Sequence, residues 1–260
     1  MDYTIRPCET MNELAEVVRI QKEIWGYAEH ELYPLRLFIN LGKIGGHVLG
    51  AFTPVGDLVG FVASMPAWHG EQRYYHSLSL GVLRGHENQG LGRALKLAQR
   101  EAALRAGIEC VEWTFDPLRE KNAYFNIVRL GAIACRYLPD YYGQVDSRLQ
   151  GGLPSDRLVA EWWLKSQRVR RAIRGLPPRS EWKFDPRRRK RIYKRIKPAA
   201  DIWIPASIGR LMVKNPAKVL TLQSDVREHL QESFAQGLAI TGFVRGEKGG
   251  HYLLDPFEIK

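Results

Sequence analysis

The stretch at residues 82–95, Val-Leu-Arg-Gly-His-Glu-Asn-Gln-Gly-Leu-Gly-Arg-Ala-Leu, decides the fold of this chain. Alternating apolar residues that end at Val82 predict a strand, and an almost unbroken run of helix formers from Arg93 to Gly107 predicts a helix. A glycine turn between a strand and a helix lets the free N–H groups of the helix N-terminus approach an anion. We therefore predict that a phosphorylated cofactor binds at Gln89, Gly90, Leu91, Gly92 and Arg93.

The spacing of the glycines excludes two common classes of phosphate-binding loop. A P-loop requires a Lys-Ser/Thr pair after its last glycine, and a dinucleotide site requires three glycines in another spacing, so Gly85, Gly90 and Gly92 fit neither. Residues 87–92 resemble instead the acetyl-CoA loop of the GNAT superfamily of N-acetyltransferases, Arg/Gln-x-x-Gly-x-Gly/Ala, with Glu87 in the first position. The alternative is a strand–helix connection whose two glycines serve the fold alone.

The segment that follows extends the resemblance. Residues 110–117 predict a strand that ends at a proline, and residues 122–132 predict a short helix that ends at Gly131. Ala123 and Gly131 have the spacing of the corresponding GNAT helix.

Two positions of that helix depart from the family pattern. The frequent family tyrosine, its usual general acid, falls on Ile127, which cannot donate a proton. The family's asparagine falls near Glu120, and Asn122, two residues later, is the cofactor contact that the resemblance implies.

The other predicted elements occur in the order of a GNAT core. They are a strand near residue 3, helices at 11–26 and 35–41, strands at 46–52, 58–65 and 75–82, and two last strands at 137–143 and 157–164. The resemblance covers residues 3–165 and extends to a long bacterial and archaeal branch of the superfamily. It implies an α/β fold with a mixed sheet, a GNAT-like acyl-CoA-binding core.

The sequence predicts three regions: an acetyl-CoA-binding domain at residues 1–165, a basic proline-containing linker at 166–200, and a smaller C-terminal extension at 201–260. The extension is predicted to contain a strand at 201–205, a helix at 223–236, and a hairpin of 238–244 with 251–254. Its β-α-β-β order could make it a degenerate half-repeat of the core that extends the sheet.

The positive charge of the chain is concentrated in the linker. Residues 165–200 hold 15 Lys and Arg against Glu181 and Asp185, a net charge of +13 in a chain whose total is +11. Such a segment either binds an anionic partner, which is nucleic acid, an acidic protein or a membrane surface, or is a solvated arm. The solvated arm is the favoured interpretation, because the densest part, residues 187–195, repels itself and offers little apolar surface to bury.

The resemblance also implies where the chemistry takes place. In this family, backbone N–H groups of the fourth strand polarise the thioester, which places that role on Leu80, Gly81 and Val82. Proton transfer needs a base and an acid. The candidate catalytic residues are His76, Ser77, Asp116 and Tyr124, with Tyr142 or a water relay as alternatives.

The predicted function is transfer of an acetyl or other acyl group from acetyl-CoA to a primary amine of a small molecule or a protein. Two alternatives are a CoA-binding regulator without transferase activity and a nucleic-acid-associated protein that acts through the basic arm. No metal is expected, because the three cysteines form no ligand pattern, and no membrane insertion is expected, because no apolar run is long enough. These features and the lack of a signal-peptide pattern predict a cytoplasmic protein. The sequence predicts neither the acceptor nor the oligomeric state.

Overall fold

A computed structural model describes residues 2–143, 153–176, 181–185, 190–194 and 198–257. The chain divides into two compact units. The first comprises Met1–Trp113 and Tyr142–Pro154, and the second comprises Thr114–Tyr141 and Ser155–Lys260. Among the described residues, no helix is long and apolar enough to cross a membrane.

The first unit contains the elements predicted for the N-terminal part of the chain. They are β1 (Thr4–Pro7), α1 (Met11–Trp25), α2 (Leu35–Lys43), β2 (His47–Phe52), β3 (Leu58–His69), β4 (Gln72–Val82), α3 (Leu91–Arg105) and β5 (Cys110–Phe115), whose last two residues belong to the second unit. The strands are ordered β1-β2-β3-β4-β5. Strands β1 to β4 pair antiparallel, and β4 pairs parallel with β5.

The sheet of the first unit is covered on both faces because its central strands are apolar on both sides. Helices α1 and α2 cover one face, where the buried side chains are Leu14, Val17, Ile20, Phe38, Leu41, Val48, Phe52, Leu58, Phe61 and Ala63. Helix α3 covers the other, where the buried side chains are Leu49, Ala51, Val59, Val62, Leu91 and Leu95.

Strand β4 is irregular near its middle. Its register with β3 shifts between the pairs Ala63–Ser79 and Ser64–Ser77, so Leu78 is the extra residue of a β-bulge. Its parallel register with β5 consists of Tyr75–Val111 and His76–Glu112, and β4 continues to Val82.

The second unit contains the rest of the chain. Its elements are α4 (Glu120–Ala123), a π-helical turn (Tyr124–Arg129), β6 (Ile133–Leu138), β7 (Arg157–Trp163), α5 (Gln167–Ile173), β8 (Glu181–Asp185), β9 (Lys190–Lys194), β10 (Ala200–Pro205), α6 (Ile208–Lys214), α7 (Pro216–Ala235), β11 (Leu238–Arg245) and β12 (Gly249–Pro256). Its large sheet has the order β7-β6-β11-β12-β10, and β8 pairs with β9 in a separate hairpin.

The C-terminal strands extend the sheet of this unit, as expected. Strand β11 pairs antiparallel with β6 through Ile240 and Ala134. Helix α7 packs on β6, β10 and β11 and is fastened by Arg227, which donates two hydrogen bonds, of 2.8 and 2.9 Å, to the buried carboxylate of Asp156.

Several predicted boundaries were wrong. Strand β6 begins at Ile133, directly after the turn at Gly131, and ends at Leu138, not at residues 137–143. Helix α7 begins at Pro216 rather than at residue 223, because Asn215 caps it by accepting a hydrogen bond from Lys218 N. A further helix, α6, precedes it.

The basic segment is not irregular throughout, because α5 and the β8–β9 hairpin lie within it. Of the arm at residues 187–195, positions 190–194 form β9, and positions 187–189 and 195 lie outside the described residues. The three domain boundaries stay a prediction.

Candidate active site

The loop between β4 and α3 has an unusual backbone. Gly85, Asn88 and Gly90 have φ angles of +94°, +59° and +85°, three left-handed residues within six positions. Gly90 is the N-cap of α3, and a side chain there would be strained by the backbone itself, although a Cβ would meet nothing within 4 Å.

Gly92 has a different reason to be glycine. It stands at the second position of α3 with an ordinary helical backbone, and a Cβ there would meet Leu80 at 3.6 Å, a normal contact. The fold therefore tolerates alanine at this position. The first N–H of α3 to bond within the helix is that of Ala94, which donates to Gly90 O at 3.0 Å, so the N–H groups of Leu91 and Gly92 point out of the helix end.

The side chain of Gln89 supports the loop from within. Its Nε2 donates to Gly85 O at 3.0 Å, and its Oε1 accepts from Tyr3 Oη at 3.0 Å. The Tyr3 hydroxyl also lies 2.9 Å from His86 Nδ1. The side chain of Gln89 is thus occupied within the loop, and the binding of a cofactor by its backbone stays a prediction. Whether Leu91 and Arg93 contact a cofactor stays a prediction.

The predicted thioester-binding residues lie at the end of β4. A Cβ on Gly81 would meet Ile24 at 2.6 Å and Trp25 at 3.0 Å, so this glycine is explained by the packing of α1. Leu80 and Val82 pack on the opposite side, against the cluster beneath α3. The roles of Leu80, Gly81 and Val82 in cofactor binding stay predictions.

Ser77 belongs to a closed network beneath α3, which we call the closed cluster: Ser64, Ser77, Lys96 and Gln99, all buried. Gln99 Nε2 donates to Ser64 Oγ at 2.5 Å and to Ser77 Oγ at 2.9 Å, while its Oε1 accepts from Lys96 Nζ at 2.7 Å. Lys96 Nζ also lies 3.4 Å from the centroid of the Trp113 ring. Burial lowers the pKa of Lys96 well below its ordinary value.

His76, the neighbour of Ser77, points to the opposite face of the sheet. It pairs with Met65, which packs against the core of α1 and α2, and it lies beside Glu112 in the parallel register. Burial lowers the pKa of His76 and Lys96 adds to this effect, whereas Glu112 opposes it. The structure does not bring His76 and Ser77 together on one face.

Two residues that the sequence analysis missed complete the group around His76. Glu112 is 6% exposed, and its Oε2 lies 3.2 Å from Nε2 of His69, which reaches across β4 from β3. The ring of His69 stacks on Tyr74, with centroids 4.3 Å apart. We call His69, His76 and Glu112 the open cluster, because the His69 side chain is 48% exposed. No local motif connects residues 69 and 112, so only strand register could have revealed this pair.

The other predicted site residues lie in the second unit. Asp116 accepts hydrogen bonds from Leu118 N at 2.8 Å and from Arg119 Nε at 3.1 Å, which makes it a turn-stabilising residue. Tyr124 lies beneath the guanidinium of Arg245, 4.2 Å from the ring centroid. Asn122 is exposed on α4.

The helix that carries Tyr124 is not the regular α-helix that the sequence predicted. Residues Tyr124–Arg129 form a π-helical turn, which changes the face that each side chain takes. Ile127 is fully buried, as its apolar side chain requires. The catalytic roles of Asp116 and Tyr124 stay predictions.

Comparison with known families decides the identity of this part of the chain. Residues 14–125 match the acetyltransferase (GNAT) family. They are a GNAT acetyltransferase domain. The match spans α1 to the start of the π-helical turn and therefore includes the β4–α3 loop.

One solved structure shares this fold. The ribosomal-protein-S18-alanine N-acetyltransferase of Escherichia coli is 14% identical, with a TM-score of 0.50 over 64% of this chain and 96% of that chain. Arabidopsis thaliana NAA60, solved with a bisubstrate analogue, is 19% identical, with a TM-score of 0.49 over 62% of this chain and 98% of that chain.

A glucosamine N-acetyltransferase region of a fungal multi-domain β-N-acetylglucosaminidase is 18% identical, with a TM-score of 0.37 over 43% of this chain. This chain spans only 13% of that protein. The comparison with curated proteins found no match.

Acetyl-CoA is the cosubstrate that a GNAT domain implies, and the residues present fit it. The loop offers the outward N–H groups of Leu91 and Gly92, and the position of a Gly92 Cβ is left open by the protein itself. These features suit a pyrophosphate that approaches the backbone closely. Within the described residues, no group of three or more His, Cys, Asp or Glu could hold a metal ion.

Proposed function

We propose that this protein transfers an acetyl group from acetyl-CoA to a primary amine of a small molecule or a protein. The observation that carries the proposal is Gly92. Its backbone is ordinary and its surroundings admit a Cβ, so neither strain nor packing accounts for the glycine. A phosphate group lying against the first turn of α3 does account for it.

Different segments of the chain would bind the cofactor and orient its thioester. The helix end at Leu91 and Gly92 would bind the pyrophosphate, and Gln89 would keep the loop in shape through Tyr3 and Gly85. The bulge at Leu78 turns backbone groups of β4 away from the ladder with β3, where they can orient a thioester carbonyl. Acetyl-CoA supplies the activated acyl group when it is bound.

Acetyl transfer can be measured as the release of the CoA thiol. The purified protein is mixed with acetyl-CoA and, in separate reactions, a tetrapeptide with N-terminal alanine, spermidine or glucosamine. We expect amine-dependent thiol release with at least one of these amines, and mass spectrometry should find the acetylated product. Acetyl-CoA binding without thiol release from any amine would contradict the transferase.

One observation favours a second candidate, a CoA-binding regulator without transferase activity. The position of the usual family acid holds Ile127, which is fully buried and cannot protonate a leaving thiolate. This candidate predicts tight acetyl-CoA binding with no turnover, the opposite outcome of the same assay.

A further inference from the structure

We infer that Glu112 and His69 form a proton-exit pair for the acceptor amine, in which Glu112 takes the proton from the ammonium group and His69 passes it to solvent. The inference rests on the proposed acetyl transfer and names groups that this reaction needs in addition to the cofactor site.

The pair has the geometry of a relay. The Glu112 carboxylate is 6% exposed, whereas the His69 side chain is 48% exposed, and 3.2 Å separates Oε2 of the first from Nε2 of the second. Hydrogen-bond contact between a buried carboxylate and a half-exposed imidazole connects an interior site to water. Imidazole can take up a proton on one nitrogen and release one from the other.

The position of Glu112 suits contact with an acceptor. It lies beside His76 at the last residue pair of the β4–β5 register, before the bulge at Leu78. The thioester is expected at this bulge, so an amine that attacks it must come close to the end of the register. Glu112 and His76 point to the face of the sheet opposite the closed cluster.

The surrounding groups favour Glu112 over His76 as the first acceptor of the proton. The titratable groups beside the pair are His76 from β4 and Tyr74, on which the ring of His69 stacks. Lys96 belongs to the closed cluster on the other face of the sheet and acts on His76 only at a distance. Burial lowers the pKa of His76, which weakens it as a base, and the carboxylate of Glu112 offers a negative charge that attracts an ammonium group.

The protons of the reaction balance through this pair. A primary ammonium gives its first proton to Glu112, and the neutral amine then attacks the thioester carbonyl. The C–N bond forms and the C–S bond breaks, and a second proton from the nitrogen ends on the departing thiolate. The proton on Glu112 moves to His69 and then to water, which restores both groups.

The test compares Glu112→Gln and His69→Gln with Glu71→Gln, a matched control at an exposed position in the turn between β3 and β4. Thiol release is measured from pH 6 to 9 with acetyl-CoA and the amine that reacts best with the wild-type protein, and acetyl-CoA affinity is measured by calorimetry. His69 is half-exposed, so its variant tests the pair even where Glu112→Gln does not fold.

We expect Glu112→Gln to lower kcat/KM at pH 7 by about 10²-fold or more, the range of general-base catalysis. The difference in kcat/KM between this variant and the wild type should become smaller as the pH rises, because more of the amine is then already neutral. His69→Gln should lower kcat by about tenfold. All three variants should keep the acetyl-CoA affinity of the wild type, and Glu71→Gln should keep its rate.

A folded Glu112→Gln variant with the wild-type rate and pH profile would overturn the pair while acetyl transfer stands, as would a His69→Gln variant with the wild-type rate. A wild-type protein that binds acetyl-CoA but acetylates none of the three amines would instead contradict the proposed function and, with it, the pair.

Discussion

The two faces of β4 use polar residues in opposite ways. On the face beneath α3, the closed cluster satisfies its hydrogen bonds internally and is shut off from water. On the other face, the open cluster leads from a buried carboxylate to a half-exposed imidazole. Adjacent residues, Ser77 and His76, belong to the two clusters. The comparison teaches that the role of a polar residue near an active site follows from the hydrogen-bond network to which it belongs. We assign a stabilising role to the closed cluster and a role in proton transfer to the open cluster.

The largest expected effect on stability is that of Gln99→Ala. This change removes the two hydrogen bonds to Ser64 and Ser77 and the acceptor 2.7 Å from Lys96 Nζ. Because these groups are buried, we expect the free energy of unfolding to fall by about 3–4 kcal/mol in urea denaturation. Gln21→Ala is the matched control, because Gln21 is also buried but exchanges its hydrogen bonds with the neutral backbone of Tyr33. This variant should lower the free energy of unfolding by about 2 kcal/mol. If the two variants lose the same free energy of unfolding, the closed cluster stabilises the protein no more than two ordinary hydrogen bonds do.

His47, next to the closed cluster, makes stability depend on pH. Burial, with smaller effects from Lys96 and Arg105, lowers the pKa of His47 to about 4 from 6.5. The unfolded chain therefore binds a proton at this site below pH 6.5 that the folded chain binds only near pH 4, so stability falls as the pH falls through this window. The contribution is at most about 3 kcal/mol. His47→Gln should remove that part of the slope, and an unchanged slope between pH 6.5 and 4 would contradict the assignment.

Ser77→Ala tests whether the sequence prediction of a catalytic serine survives. The hydroxyl accepts hydrogen bonds from Gln99 and Lys96 beneath α3, so we expect a loss of about 1 kcal/mol in stability and a rate within twofold of wild type. A tenfold loss of turnover at unchanged stability would return Ser77 to catalysis and break the comparison between the two faces.

The sequence predicted the parts of the fold that local chemistry encodes. Glycines and helix formers around Gly92 predicted the loop and α3, and the turn residues after Phe52 predicted the β2–β3 hairpin. The start of α7 also has a local signal, the capping residue Asn215 directly before Pro216.

The rest depends on contacts between residues far apart in the chain. His69 and Glu112 meet only because β3 and β5 lie on either side of β4. The π-helical turn after Ala123 has no propensity signal of its own, so the sequence predicted a regular helix over the residues that include Tyr124 and Ile127.

The central claim is that acetyl-CoA binds against the first turn of α3, and the acetyl-CoA affinity of Gly92→Val tests it most directly. Gly209 offers a matched control, because it is also the second residue of a helix, α6, and a Cβ there would meet only Arg119 at 4.0 Å. We predict that Gly92→Val weakens binding tenfold or more, which is about 1.4 kcal/mol, and that Gly209→Val leaves it unchanged. A folded Gly92→Val protein with wild-type affinity for acetyl-CoA would contradict the claim.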